Sequence, residues 1–265
     1  MAITNKISRA LRALTGRRRH TAALLLAGGV GSRMASEDGT TKQLMILKGK
    51  PLIAYTARAF EDCADIDEIV VVARSEEVER VRLILEEEKI KKLSLIVKGG
   101  ETRQESAKNG FDALGEEVDY VAVHDVARCM VTPEMISRVV AVAYEMKAAS
   151  AATRVSDTVK IAGGDGIVRE TPDRNLLWAA QTPQVFEADL YRAAVYMADK
   201  EGFRATDDNS MIEAIGHRVK LVDCGPENFK VTTKADLIMA EVLLRMQERE
   251  AQKSKKKQAK AEQDK

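Results

Sequence analysis

Two places along the chain carry residue types suited to phosphate chemistry. The first is Ala27-Gly28-Gly29-Val30-Gly31-Ser32-Arg33-Met34. Glycine tolerates the backbone conformations that let several N–H groups converge on one anion. Arg33 adds a guanidinium that matches phosphate oxygens bidentately, and Lys42-Gln43 follows shortly after with a second cation. The spacing fits neither of two common phosphate motifs. A dinucleotide fingerprint starting at Gly29 would need glycine where Met34 stands, and a Walker loop would need glycine at Arg33. The second place is His124-Asp125, with Arg128 three residues on. Asp125 is a hard oxygen ligand of the kind that holds Mg2+ against substrate phosphates. A tight turn is the structural alternative for the glycines, and a cap on the next turn is that for Asp125.

The elements that must position these residues are legible from periodicity. Ala22 to Leu26, Glu68 to Ala73, Leu93 to Val97 and Tyr120 to Val123 read as short apolar strands. Between and after them, roughly Pro51 to Glu61, Glu76 to Glu88, Arg103 to Leu114 and Pro133 to Lys147 read as helices. Near-continuous apolar strands alternating with helices predict an α/β, doubly wound, mostly parallel sheet covered on both faces. The glycine loop then leaves the first strand and His124-Asp125 closes the fourth. Open α/β sheets bind their ligands at that carboxyl edge. Residues 149 to 182 break the rhythm. A strand over Ala151 to Lys160, a turn through Gly163-Gly164-Asp165-Gly166 and a return over Ile167 to Glu170 predict a projecting β-hairpin arm at about 152–172. Such an arm serves either as a local flap or as a dimer contact.

Composition narrows the class. The chain has 265 residues, with 42 Lys and Arg against 41 Asp and Glu, for a net charge of +1. A dedicated nucleic-acid binder is strongly basic, so no nucleic-acid partner is expected. Cys63, Cys129 and Cys224 lie far apart, as do His20, His124 and His217. This predicts neither a zinc ribbon nor a disulfide framework, and a reducing, cytoplasmic location. The apolar stretch Thr21 to Gly31 is too short to span a bilayer, and no stable membrane association is expected. Residues 1–20 form a basic extension carrying Lys6, Arg9, Arg12, Arg17, Arg18 and Arg19 and no acid. Residues 21–247 read as one domain, and 248–265 as a charged tail without apolar anchors or fixed structure.

The second half adds polar residues at boundaries between elements: Asp157-Thr158, Lys160, Asp173-Arg174-Asn175, Gln181-Thr182-Pro183-Gln184, Thr206-Asp207-Asp208 and Asn228-Phe229-Lys230. Together they suit a pocket for two phosphorylated substrates, and hence phosphoryl or nucleotidyl transfer by positioning and charge neutralisation. Trp178 reads as core packing.

These segments resemble the 2-C-methyl-D-erythritol 4-phosphate cytidylyltransferases of the non-mevalonate isoprenoid pathway. AGGVGSRM (27–34), TKQ (41–43), GGETRQES (99–106), HDVAR (124–128), SDTVK (156–160), DRNLLWAAQTPQVF (173–186), ATDD (205–208) and ENFKVTT (227–233) keep the family's order. The resemblance implies a nucleotidyltransferase (Rossmann-like) fold, a homodimer joined by the arm, CTP and a polyol phosphate as substrates, and Mg2+ as the metal. It implies that Gly28, Gly29, Gly31, Arg33 and Lys42 hold the triphosphate, with Arg128 nearby, and that Gly100, Glu101 and Ser106 read cytosine and ribose. It places Mg2+ on Asp125 and Lys230 at the α-phosphate, so that Arg33, Lys42 and Lys230 carry the catalytic charge. Thr158, Arg174, Thr182, Thr206 and Asp207 would surround the acceptor, Arg174 entering from the partner subunit. The AGG opening is shared with ribitol-5-phosphate cytidylyltransferases, which stand as the alternative acceptor class. A non-catalytic nucleotide-binding regulatory domain is the alternative of another kind. It would be expected to lack Asp125 or Lys230, and both are present.

Overall fold

The computed structural model describes residues 18–28 and 41–263. β1 (Thr21–Leu26) leads past a 3-10 turn (Lys42–Leu44) to the short strands β2 (Ile46–Leu47) and β3 (Lys50–Pro51). Then come α1 (Leu52–Asp62), β4 (Glu68–Ala73), α2 (Val78–Glu87), β5 (Leu93–Lys98), α3 (Arg103–Asp112), β6 (Tyr120–Asp125) and α4 (Pro133–Met146). The second half holds β7 (Ala148–Arg154), β8 (Ile161–Ala162), β9 (Val168–Glu170), β10 (Trp178–Glu187), α5 (Ala188–Glu201), α6 (Asp208–Ala214), β11 (Lys220–Asp223) and α7 (Lys234–Gln263).

Seven strands form one sheet in the order β11-β7-β10-β6-β1-β4-β5. Every neighbouring pair is parallel except the two made by β10, which runs antiparallel to both β6 and β7. The pleat of β1 sends Ala23 and Leu25 into one apolar layer and Ala22, Leu24 and Leu26 into the other. α1, α2 and α4 cover the first layer through Ile53, Phe60, Leu85 and Val139. α3, α5 and α6 cover the second through Phe111, Tyr191 and Ile212. The sheet is therefore buried on both faces, as its apolar strands require. A smaller cluster packs α7 against β2 and the loop after β6 through Leu47, Cys129, Val231 and Ala240. No helix among the described residues is long and apolar enough to cross a membrane.

Three expectations shift. The strand expected over Ala151 to Lys160 starts earlier and stops at Arg154, because its small residues Ala148 to Ala152 pack inside the main sheet between β10 and β11. Only β8 and β9 form the separate hairpin. Its turn closes through Gly163 N–H to the Ile167 carbonyl at 3.0 Å, and Gly166 takes a φ of 77° that favours glycine. The charged tail also departs from its expected lack of structure: α7 runs on to Gln263. Ala, Glu, Gln and Lys are strong helix formers, and no Gly or Pro follows Pro226. At the other end, the basic extension is tied to the fold at its last residues. Arg18 pairs with Asp67 at 3.2 Å, and Arg19 lies 4.6 Å from the Tyr144 ring centroid.

Candidate active site

The carboxyl ends of β1, β4, β5 and β6 meet at one edge of the sheet. Ala27 N–H donates to the Val72 carbonyl at 2.7 Å, Gly99 N–H to Ala73 at 2.8 Å and Val126 N–H to Leu26 at 3.2 Å. Asp125, the last residue of β6, is 8% exposed. Its Oδ1 accepts from Arg103 Nε at 3.0 Å and its Oδ2 from Lys230 Nζ at 2.7 Å. Arg103 forks, and its second arm reaches Asp208 Oδ2 at 2.7 Å. Asp208 is fully buried and also accepts from the Tyr191 hydroxyl at 2.7 Å. Burial pushes the Asp125 carboxyl up, but Arg103 and Lys230 outweigh it and hold it well below the usual carboxylate range. Burial likewise lowers Arg103, and Asp208 and Asp125 more than reverse that. The result is a fixed alternation of charge, Lys230, Asp125, Arg103, Asp208, drawn from four separate segments.

A second layer holds this cluster in place. The Thr182 hydroxyl accepts from Asp125 N–H at 3.0 Å and lies 3.0 Å from His124 Nδ1. A carbonyl only accepts, so Nε2 carries the proton and donates to the Arg128 carbonyl at 3.3 Å; in the neutral ring Nδ1 then accepts from the Thr182 hydroxyl. His124 is fully buried, and burial pushes its pKa down to about 3, which keeps the ring neutral. Thr182 reaches this spot because the pairing of β10 with β7 shifts register between Ala180 and Gln184. Pro183, which has no N–H for a ladder, lies inside that irregularity. Arg128 donates to the carbonyls of Asn228 at 2.9 Å and Ala180 at 3.3 Å. Asn228 in turn donates to Gln181 Oε1 at 3.0 Å and the Thr182 carbonyl at 2.8 Å. Thr182 and Arg128, expected as acceptor and nucleotide contacts, also anchor the loops that present Asp125 and Lys230.

Beside the cluster, the start of α3 shapes a glycine turn. Thr102 and Glu105 form a capping box, and Glu105 also accepts from Glu101 N–H at 2.7 Å. Ser106 accepts from Gly100 N–H at 3.1 Å and donates to the Thr102 carbonyl at 2.9 Å. A Cβ on Gly100 would stand 2.3 Å from Glu105 Cβ, and one on Gly28 would stand 3.5 Å from Ser106 Oγ. Gly28, Gly100 and Ser106 therefore share one surface, while the Glu101 side chain is exposed. Lys42 lies in the 3-10 turn next to Gln43, whose amide donates to the Ala27 carbonyl at the end of β1. Gly29, Gly31 and Arg33 lie outside the described residues.

The expected acceptor residues divide. Thr206 sits just before α6, its hydroxyl 3.4 Å from Ser210 Oγ. The adjoining Ala205 N–H donates to Gln104 at 3.0 Å, so this loop borders the glycine turn. Asp207 is the N-cap of α6. It accepts from Ser210 N–H at 3.1 Å and from Gln184 Nε2 at 2.8 Å, so its carboxylate is used locally. Asp208, one residue on, is the one that meets Arg103. Arg174 opens a short 3-10 turn capped by Asp173 and donates to the Ser156 carbonyl at 3.2 Å. Thr158 is exposed in the connector before β8. Among the described residues, no hydrogen bond or ion pair joins Arg174 or Thr158 to Asp125. Trp178, expected in the core, is half-buried, and the Arg154 guanidinium lies 3.9 Å from its ring centroid. Arg103 and Asp208 complete the charged cluster, and the sequence reading singled out neither as a site residue. Both sit at helix starts behind a capping residue, and nothing in their spacing distinguishes them from ordinary first-turn charges.

Comparisons with known proteins point to one family. The family model described as IspD, 2-C-methyl-D-erythritol 4-phosphate cytidylyltransferase, matches residues 21–246. A protein of that name from Caldanaerobacter subterraneus subsp. tengcongensis is 41% identical over 227 residues, covering 85% of this chain and 99% of the relative. Another, from Synechococcus sp. (strain CC9902), is 42% identical over 222 residues, covering 83% and 96%. The crystal structure of a 4-diphosphocytidyl-2C-methyl-D-erythritol synthase from Anaerococcus prevotii DSM 20548 superposes with a TM-score of 0.77 at 29% identity, covering 86% of this chain and 96% of that one.

Proposed function

This chain belongs to the 2-C-methyl-D-erythritol 4-phosphate cytidylyltransferase family, and we propose that it transfers the cytidylyl group of CTP to 2-C-methyl-D-erythritol 4-phosphate. The products are 4-diphosphocytidyl-2-C-methyl-D-erythritol and pyrophosphate, in the non-mevalonate isoprenoid pathway. The observation that carries this reading is Lys230 Nζ held 2.7 Å from Asp125 at the carboxyl end of β6. A regulatory domain without turnover has no use for that pair.

The chemistry follows from charge. An oxygen of the acceptor phosphate attacks the α-phosphorus of CTP, and the bond to the β-phosphate oxygen breaks to release pyrophosphate. A phosphate monoester has a second pKa of about 6, so the nucleophile is already ionised and needs no strong base. The obstacle is repulsion between anions. Lys230, Lys42 and Arg33 offset it, while Gly28, Gly29, Gly31 and Gly100 present backbone to the nucleotide, with Glu101 and Ser106 beside it. Asp125 fits a metal held mainly by phosphates. A carboxylate offers about four acceptor positions, and Arg103 and Lys230 occupy two. Mg2+ in phosphate sites is commonly held by one or two carboxylates plus substrate oxygens. Bound there, it would neutralise phosphate charge. Among the described residues there is no cluster of three or more His, Cys, Asp or Glu that could hold a metal ion without substrate.

Pyrophosphate release should require CTP, methylerythritol 4-phosphate and Mg2+ together. Release that a chelator leaves untouched, or that runs faster with ATP or GTP, would overturn the nucleotide and metal assignments. Methylerythritol 4-phosphate should exceed ribitol 5-phosphate by at least about 100-fold in kcat/KM. The extra carbon shifts the phosphate by more than about an ångström if the other end stays bound, and misplacement on that scale costs roughly that much. Equal rates would move the chain to the ribitol group.

The hairpin of β8 and β9 exposes Ile161, Ile167 and Val168, and Leu176 follows nearby. We read it as the arm of a homodimer that carries Thr158 and Arg174 to the neighbour's Thr206 side of the site. Mixing inactive Arg174→Ala and Lys42→Ala subunits should then restore activity, because one hybrid site regains both residues. No recovery despite demonstrated subunit exchange counts against a shared site. A cytoplasmic location accords with the three free, buried cysteines.

A further inference from the structure

One buried carboxylate near the site has no part in the chemistry described above. Glu77 follows β4 and is the residue immediately before α2, and it is 7% exposed. Its backbone is fixed, with its N–H donating to the Arg74 carbonyl at 2.9 Å and its own carbonyl accepting from Val81 N–H at 2.8 Å. Its side chain points away from α2, toward the 3-10 turn that carries Lys42. Oε1 accepts the Thr41 hydroxyl, and Oε2 lies 3.5 Å from Gln43 Nε2. Thr41 and Gln43 are 5% and 4% exposed, so these contacts are shielded from water. Gln43 Nε2 also donates to the Ala27 carbonyl, where β1 ends. The turn itself closes through Leu44 N–H to Thr41 at 3.1 Å and Met45 N–H to Lys42 at 3.0 Å.

We propose that Glu77 is a positioning residue for cytidylyl transfer: its buried carboxylate grips the residues on either side of Lys42 and sets where that lysine stands relative to the ends of β1 and β4. The inference rests on the role of Lys42 in the proposed function. Lys42 belongs to a three-residue turn that leads into the two-residue strand β2, so its own segment supplies little rigidity. Glu77 ties that segment to the rigid β4–α2 junction. A lysine has a flexible four-carbon stem, and fixing the backbone on both sides removes the shift of its base from the displacements open to its ammonium. Catalysis that depends on charge placed at one phosphate is sensitive to shifts of about an ångström.

The test is a double-mutant cycle. Glu77→Ala should lower kcat about 10-fold or more per folded enzyme, with KM for methylerythritol 4-phosphate within about twofold of wild type. In a Lys42→Ala background, adding Glu77→Ala should lower kcat by less than about twofold further, because the residue it positions is already gone. Glu77→Gln keeps the shape and one acceptor for Thr41, so its loss should be smaller and equally absent in the Lys42→Ala background. It carries the cycle if the alanine variant does not fold. Losses that multiply in the Lys42→Ala background, or an unchanged kcat in both Glu77 variants, would overturn the inference while Lys42→Ala alone remains impaired. Wild-type turnover by Lys42→Ala would instead remove Lys42 from the reaction and the inference with it.

Discussion

Replacing Lys230 with alanine should lower kcat by roughly 10²- to 10³-fold, the scale of losing one donor aimed at charge that develops in the transition state. KM for CTP should move far less, since an interaction made mainly in the transition state lowers kcat and kcat/KM together. Stability should barely change. The Lys230 side chain is 41% exposed, and a pair with one partner that open contributes at most about 1 kcal/mol. Asp125 keeps Arg103 after the substitution, so its buried charge is not left without a partner. Stopped-flow or pyrophosphate-coupled rates, beside a urea titration of the same preparation, separate the two effects. A kcat near wild type, or a collapse of stability that accounts for the loss, would remove Lys230 from the chemistry.

Arg103 should behave differently, because it is structural and functional at once. Its fork spans Asp125 and Asp208. Asp208 is fully buried, and among the described residues its carboxylate is otherwise met by the Tyr191 hydroxyl, while its backbone N–H donates to Gln184 Oε1 at 3.0 Å. Removing one partner of a buried pair leaves an uncompensated charge and costs about 3–5 kcal/mol. Arg103→Ala should therefore lose about that much unfolding free energy by urea titration. It should also lose activity, because Asp125 would no longer be held at its Oδ1 side. Arg103→Lys should recover little, since a single ammonium cannot bridge both carboxylates as the planar fork does. Adding Asp208→Asn to Arg103→Ala should regain more than about 1 kcal/mol by removing the orphaned charge. A wild-type urea midpoint for Arg103→Ala, or no gain from the second substitution, would show that the bridge carries no stability.

Local patterning was enough to set the frame. Apolar runs such as Glu68–Ala73 and Tyr120–Val123 are too short for helices and too continuous for one-sided strands, which leaves a doubly covered parallel sheet. That periodicity is local, so β4 and α4 lie within a residue of where it places them. His124-Asp125 at a strand's carboxyl end was legible for the same reason, whereas the role of Lys230 came from the family resemblance of its segment. Which polar side chains meet is set by long-range packing. Asp207 and Asp208 are adjacent in sequence, yet one caps α6 and the other enters the core to meet Arg103. That choice depends on which way the first turn of α6 faces, and α6 is placed by packing against α5 and β10. Thr182 reads as an acceptor contact, and only the register shift in β10 shows that it also sits under Asp125. Trp178 reads as core until Arg154 is found over its ring. In each case the deciding partner lies at least 24 residues away, and pairings over such separations arise from the folded sheet rather than from any local pattern.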